Sequence, residues 1–156
     1  MKGVVISLQN LMSQISPSDS FNTVSRALAW DECYRRLGEE ISELESGELL
    51  VTVGLPLSGK TYFCNRSQLH TKYDVIFDVG LNTKESRSCV LNMAKGLGWE
   101  VDCLFVDTPF KVCRKRNSTR KPSKRIPFSA FQSMCRILHK PKKHEGFRKL
   151  SVVTGN

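Results

Sequence analysis

Leu49-Leu50-Val51-Thr52-Val53-Gly54-Leu55-Pro56-Leu57-Ser58-Gly59-Lys60-Thr61 reads as a buried strand running straight into a phosphate-binding loop. The first five residues are apolar or β-branched, as a strand covered on both faces requires. Gly54–Thr61 then satisfies G-x-x-x-x-G-K-[ST]. Glycines let such a loop curl so that its N–H groups face a phosphate, and the following helix adds its positive N-terminal end. Gly54, Ser58, Gly59, Lys60 and Thr61 are therefore expected to hold a nucleoside triphosphate. Lys60 reaches the β- and γ-phosphates, and Thr61 offers its hydroxyl to Mg²⁺. ATP and Mg²⁺ are the expected cofactors.

Downstream of the loop, Tyr73-Asp74-Val75-Ile76-Phe77-Asp78 is a second candidate strand. A parallel sheet would bring its last residue, Asp78, beside the loop as the second metal-side group. Asn82, with Glu85 three residues on, resembles a capping box for a helix running to about Gly96. Val101–Val106 makes a third strand, and Thr108-Pro109 opens a helix with proline at its first position. A helix from Phe128 to about Leu138 and a strand over Leu150–Val153 complete the pattern. Strands alternating with helices predict an α/β, three-layer P-loop NTPase fold with a small, mainly parallel sheet.

Upstream, residues 1–48 read as an N-terminal helical segment added to a P-loop domain over 49–156. Its long helix starts near Pro17-Ser18-Asp19-Ser20 and ends at Ser46-Gly47. Phe21, Val24 and Leu28, continued by Trp30, Tyr34, Leu37, Ile41 and Leu44, form its expected apolar stripe. Trp30 and Trp99 are expected to pack, and Asp31 and Glu32 to lie on an exposed helix face.

The net charge of +9 is unevenly distributed. No acidic residue falls between Asp107 and Glu145, whereas that stretch holds Lys111, Arg114, Lys115, Arg116, Arg120, Lys121, Lys124 and Arg125 among its cations. Such asymmetry points to an anionic partner, either nucleotide phosphates or a nucleic-acid backbone. Arg116 and Arg120 are four apart, hence on one helix face. A basic lid over about 111–125 would let them close on a triphosphate and serve phosphoryl transfer. Cys33, Cys64, Cys89, Cys103, Cys113 and Cys135 are scattered singly, which predicts reduced, structural thiols. No apolar run approaches ~20 residues, and the N-terminal apolar stretch turns polar at Gln9-Asn10. A cytoplasmic protein with no membrane association is expected; the oligomeric state is not legible.

Several of these motifs together resemble one family. Gly54–Thr61, Asp78 with Leu81-Asn82, and Asp107-Thr108-Pro109 followed by Arg116-Asn117-Ser118-Thr119-Arg120 look like the kinase domain of phage-type 5′-hydroxyl polynucleotide kinases. Ile126-Pro127 and Pro141…Glu145-Gly146-Phe147 are similar to that group and its P-loop kinase and AAA-type ATPase-like relatives. The resemblance implies transfer of the ATP γ-phosphate to a nucleic-acid 5′-hydroxyl. By position it implies Lys60 and Thr61 on phosphate and metal, with Arg116 and Arg120 as lid arginines.

The chain departs from that family at three places. Members carry a longer segment after the P-loop, with a catalytic aspartate following an Asn-Arg pair. Here Asn65-Arg66 is followed by Ser67-Gln68, and no acid occurs between Thr61 and Tyr73. Val79-Gly80 stands where the family favours Thr-Asn, and Leu57 fills a position often taken by glycine. Two other readings therefore stand beside a polynucleotide kinase. One is a catalytically degenerate protein of the same fold that binds nucleotide or nucleic acid; the other is a P-loop kinase for a small hydroxyl compound.

Overall fold

Period-two alternation in the strands assigns each side chain to one of two helical layers. The computed structural model describes residues 3–19 and 21–155. Its strands are β1 (Val4–Ser7), β2 (Glu48–Gly54), β3 (Val75–Asp78), β4 (Glu100–Val106) and β5 (Lys149–Val153). They form one sheet in the order β1-β3-β2-β4-β5, and every pairing is parallel. The α/β class and parallel sheet expected from the sequence are thus found.

Leu49, Val51, Val53, Val75, Phe77, Val101, Cys103 and Phe105 face the larger core layer. It is completed by α1 (Leu8–Ile15), α2 (Thr23–Glu43) and α5 (Lys84–Gly96). Leu50, Ile76, Leu104 and Val106 face the other layer, with Cys64 of α3 (Lys60–Cys64) and Leu69 of α4 (Ser67–Lys72). Two further helices, α6 (Phe110–Thr119) and α7 (Phe128–Arg136), pack through Phe110 and Phe131, whose ring centroids lie 5.6 Å apart. No helix among the described residues is long and apolar enough to cross a membrane. All six cysteines are free, and four are buried as packing groups.

The N-terminal segment holds more than helices. Val4–Ser7 joins the sheet edge against β3, in register Ser7 with Asp78. Four residues are too few for alternation to declare a strand, which is why the sequence shows only an apolar stretch. Ser7 then caps α1 by accepting from the Asn10 N–H at 3.3 Å. The apolar stripe of α2 also differs from expectation. Ala29, Cys33, Leu37 and Ile41 are buried, whereas Val24 and Leu28 are 72% and 56% exposed. Small Ala29 and Cys33 let this helix sit close to the sheet, and Trp30 and Tyr34 flank the contact, stacked 6.0 Å apart. Ser20, placed at the expected helix start, lies outside the described residues; the observed cap is Asn22, which accepts from Ser25 N–H.

The expected Asn82 cap is corrected as well. Thr83 caps α5, accepting from Ser86 N–H at 3.1 Å. The Asn82 amide is engaged elsewhere, with Gly54, as described below. Pro109 precedes α6 as its cap rather than occupying its first turn, leaving Phe110 as the first helical residue.

Candidate functional site

In a parallel α/β sheet the carboxyl ends of the strands open onto a common crevice. Ser7, Gly54, Asp78, Val106 and Val153 end their strands on that side, and a cavity of about 800 Å³ lies there. That volume suits a nucleotide-sized ligand.

The loop is built as its residue types demand. Gly59 adopts φ +104 and caps α3, a backbone state that L-side chains rarely reach. Leu57 holds φ +65, in the same left-handed region, at the site where glycine is common in the resembling family. The Asn82 amide clamps the end of β2: Gly54 N–H donates to Oδ1 at 2.9 Å, and Nδ2 donates to the Gly54 carbonyl at 2.9 Å. Thr108 fixes the other flank, its hydroxyl donating to the Ser58 carbonyl at 2.7 Å and accepting from Gly155 N–H at 2.9 Å. The Ser58 hydroxyl is fully buried, beneath Gly54, with no hydrogen-bond partner among the described residues.

Lys60 folds back over the loop, donating to the carbonyls of Gly54 at 3.0 Å and Leu55 at 2.8 Å. Its stem passes beside Gly80, φ +74, where an added Cβ would stand 3.2 Å from Lys60 Cε. Burial chiefly lowers the Lys60 ammonium pKa, and Asp78 opposes that shift. Asp78 is itself 4% exposed and raised by burial, although the Thr61 and Thr52 hydroxyls and the Lys60 charge pull it back. The Thr61 hydroxyl donates to Asp78 Oδ2 at 2.8 Å, and Thr52 to Oδ1 at 3.2 Å.

The pairing of Thr61 with Asp78 bears on Mg²⁺. A hydroxyl and one carboxylate are hard oxygen donors, the kind of partial shell that Mg²⁺ completes with waters and substrate phosphates. No group of three or more His, Cys, Asp or Glu among the described residues could hold a metal by itself. The donor set fits an ion that arrives with a nucleotide.

The two lid arginines both line the cavity but differ in their partners. Arg116 donates through Nη1 to the Leu57 carbonyl at 3.0 Å and through Nη2 to the Gly155 carbonyl, so it ties α6 to the loop. Arg120, at the C-cap of α6, lines the cavity with Lys124, and burial lowers its pKa. The Lys124 ammonium also reaches the Pro17 carbonyl at 3.0 Å, joining the basic segment to the N-terminal one.

The side of the cavity away from the loop comes from residues whose role the sequence left open. Leu8 and Met12 of α1 and Arg26 and Trp30 of α2 line it. Trp30, expected to pack, both packs on the core and faces the cavity. A spacing signal was present: Arg26, Trp30 and Tyr34 recur every four residues, a cation heading an aromatic stripe. Asp31 is exposed and Glu32 pairs with Arg35 and Arg36 on the outer face, as expected. Asp74 accepts from Glu48 N–H at the opposite end of the sheet. Asp78 is accordingly the sole carboxylate among the described residues that line the cavity.

A family model described as AAA domain matches residues 64–141, half of the chain, beginning just after Thr61. No curated protein matches the sequence.

Proposed function

The chain belongs to the AAA domain family, of P-loop kinase and NTPase type, and we propose on that premise that it is a polynucleotide-kinase-like phosphotransferase. It moves the γ-phosphoryl group of ATP to a 5′-hydroxyl of nucleic acid. The observation that carries this reading is the convergence of Lys60, Arg120 and the Thr61–Asp78 pair on one nucleotide-sized cavity.

Lys60 exchanges its two loop carbonyls for the β- and γ-phosphates when a nucleotide enters. The N–H groups at Gly59 and the start of α3 complete the cradle, while Arg116 keeps Leu57 in place. Thr61 and Asp78 would hold Mg²⁺, which would supply neutralisation of phosphate charge. Arg120 offsets charge on the transferring group. The exposed cations Lys111, Arg114, Lys115, Lys121 and Arg125 lie along the same lid, and they suit a polyanionic acceptor strand.

Positioning and charge stabilisation dominate phosphoryl transfer, and a general base contributes roughly 10²–10⁴-fold. With Asp78 the sole carboxylate among the described residues lining the cavity, the chain is therefore expected to be a slow kinase. That same observation favours a second reading, nucleotide binding without turnover.

Transfer of labelled γ-phosphate from ATP to 5′-hydroxyl oligonucleotides with Mg²⁺ tests the proposal. Activity should collapse in Lys60→Ala and in Arg120→Ala. Transfer that persists unchanged in Lys60→Ala overturns it. No transfer by a wild type that still binds ATP through Lys60 establishes the second reading.

A further inference from the structure

Arg26 has the surroundings of a ligand-binding cation. It lies on α2, half-buried, and lines the cavity alongside Lys60, Arg120 and Lys124. Its guanidinium makes no hydrogen bond or ion pair with any described residue; it lies only over the Phe21 ring, 5.4 Å from the centroid. A guanidinium withdrawn from water without a carboxylate is costly unless an anion comes to it. Burial lowers the pKa of Arg26, and the Arg26 charge adds to the depression of Lys60. The two cations therefore act on the same space, and Arg120, also without an ion pair among the described residues, borders it.

Arg26 arrives there by way of the edge strand. β1 pairs with β3 at the sheet edge, so α1 begins level with the end of the Asp78 strand. From α1 the chain turns at Pro17 into α2, whose first turns bring Arg26 to the mouth of the cavity. The contact of Lys124 with the Pro17 carbonyl links that turn to the basic segment.

We propose that Arg26 binds the terminal phosphate of the nucleoside triphosphate, sharing it with Lys60 and Arg120 from the side opposite the loop. The inference rests on the proposed reading of the P-loop as a triphosphate site. It makes the N-terminal segment part of the nucleotide site, and it gives the site a means of preferring triphosphate over diphosphate.

The test is Mg²⁺-dependent binding of ATP and of ADP by calorimetry to wild type, Arg26→Ala, Arg26→Gln and Lys60→Ala. A charged hydrogen bond is worth about 1.5–3 kcal/mol, so Arg26→Ala should weaken ATP by roughly 10- to 100-fold. ADP affinity should be unchanged in that variant, whereas Lys60→Ala weakens both nucleotides. Equal loss for ATP and ADP in Arg26→Ala, or no loss for either, overturns the proposal. Unchanged nucleotide binding with a raised KM for the oligonucleotide also overturns it and makes Arg26 an acceptor contact. Arg26→Gln keeps the stem over Phe21 and gives the same comparison if the alanine variant folds poorly. Failure of wild type to bind either nucleotide defeats the reading of the P-loop itself, a separate result.

Discussion

Asn117 holds Ile126 by both ends of its amide: Nδ2 donates to the Ile126 carbonyl at 2.8 Å, and Oδ1 accepts from the Ile126 N–H at 2.9 Å. This closes the chain between α6 and α7 into a loop that carries Arg120 and Lys124 toward the cavity. The spacing from Arg116-Asn117 to Ile126-Pro127 is therefore the spacing of a clamp. Asn117 is 8% exposed, so Asn117→Ala leaves two backbone groups without their partner. Thermal unfolding should show a loss of about 1–3 kcal/mol. ATP affinity should fall in parallel as Arg120 loses its fixed approach. A variant that melts and binds ATP like the wild type would remove the clamp from the account.

Lys60 should oppose folding while it waits for phosphate. Burial sets its pKa below the unfolded value, so the protonated form is disfavoured in the fold. The penalty applies below the folded pKa and is relieved as pH rises through it toward the unfolded value. Lys60→Met removes the charge, and both loop carbonyls keep another donor, Asn82 for Gly54 and Ser58 N–H for Leu55. Calorimetry at neutral pH should find Lys60→Met at least as stable as wild type without ligand. The rise in Tm on adding ATP with Mg²⁺ should disappear. A large drop in ligand-free Tm would mean that the ammonium holds the loop together.

Arg87 and Glu145 form a buried ion pair, with side chains 1% and 6% exposed. Arg87 Nε donates to Oε1 at 2.8 Å, Nη2 donates to Oε2 at 3.3 Å, and Nη1 donates to the Leu81 carbonyl at 2.9 Å. Removing one partner of such a pair costs about 3–5 kcal/mol, so Glu145→Gln should be strongly destabilised at neutral pH. Burial raises the Glu145 pKa, but the Arg87 hydrogen bonds, the Lys142 N–H and the Arg87 charge together more than offset it, leaving it below the usual carboxylate range. A depressed carboxylate contributes its stability above the unfolded pKa of ~4.3 and loses it as pH falls through the folded value. Denaturant titrations from pH 7 into acid should show the gap between wild type and Glu145→Gln narrowing below that range. A gap independent of pH would assign the effect to shape rather than charge.

Leu57 carries a left-handed backbone at φ +65, which costs an L-residue roughly 1–2 kcal/mol. Leu57→Gly removes that cost but gains freedom in the unfolded chain, leaving a net stabilisation of about 0.5–1 kcal/mol. Leu57→Val should move the other way, because branching at Cβ resists this conformation further. Equal unfolding midpoints for the two variants would show that packing, and not the backbone, decides this position.

Much of this architecture is written in short-range pattern. β2, β3 and β4 are buried on both faces, so their apolar runs stand out, and the loop after β2 announces itself by its glycines and lysine. Asp78 was legible because a parallel sheet aligns strand ends. Residues whose task lies across the fold were not. Asn82 reads as a helix cap because Glu85 follows it at the right interval, yet its amide is taken by Gly54, which no local pattern encodes. Arg116 and Arg120 read as one helix face, but Arg120 lies past the helix end as an extended C-cap, and of the two cavity-lining arginines only Arg116 bonds the Leu57 and Gly155 carbonyls. Arg26 depends on where an edge strand of four residues delivers the chain, and that was decided by pairing with Val75–Asp78.

That pairing also sets a timetable. On the ribosome, Val4–Ser7 emerges well before its strand neighbour among the described residues, which is made after the P-loop and two further helices. During that interval an apolar strand has both edges open, the state most prone to pair with the wrong chain. Closing a contact so distant along the polypeptide is slow. The cavity wall carried by α1 and α2 is thus set only after β3 has been made, and the phosphate loop waits longer still, for the Asn82, Thr108 and Arg116 contacts that hold it.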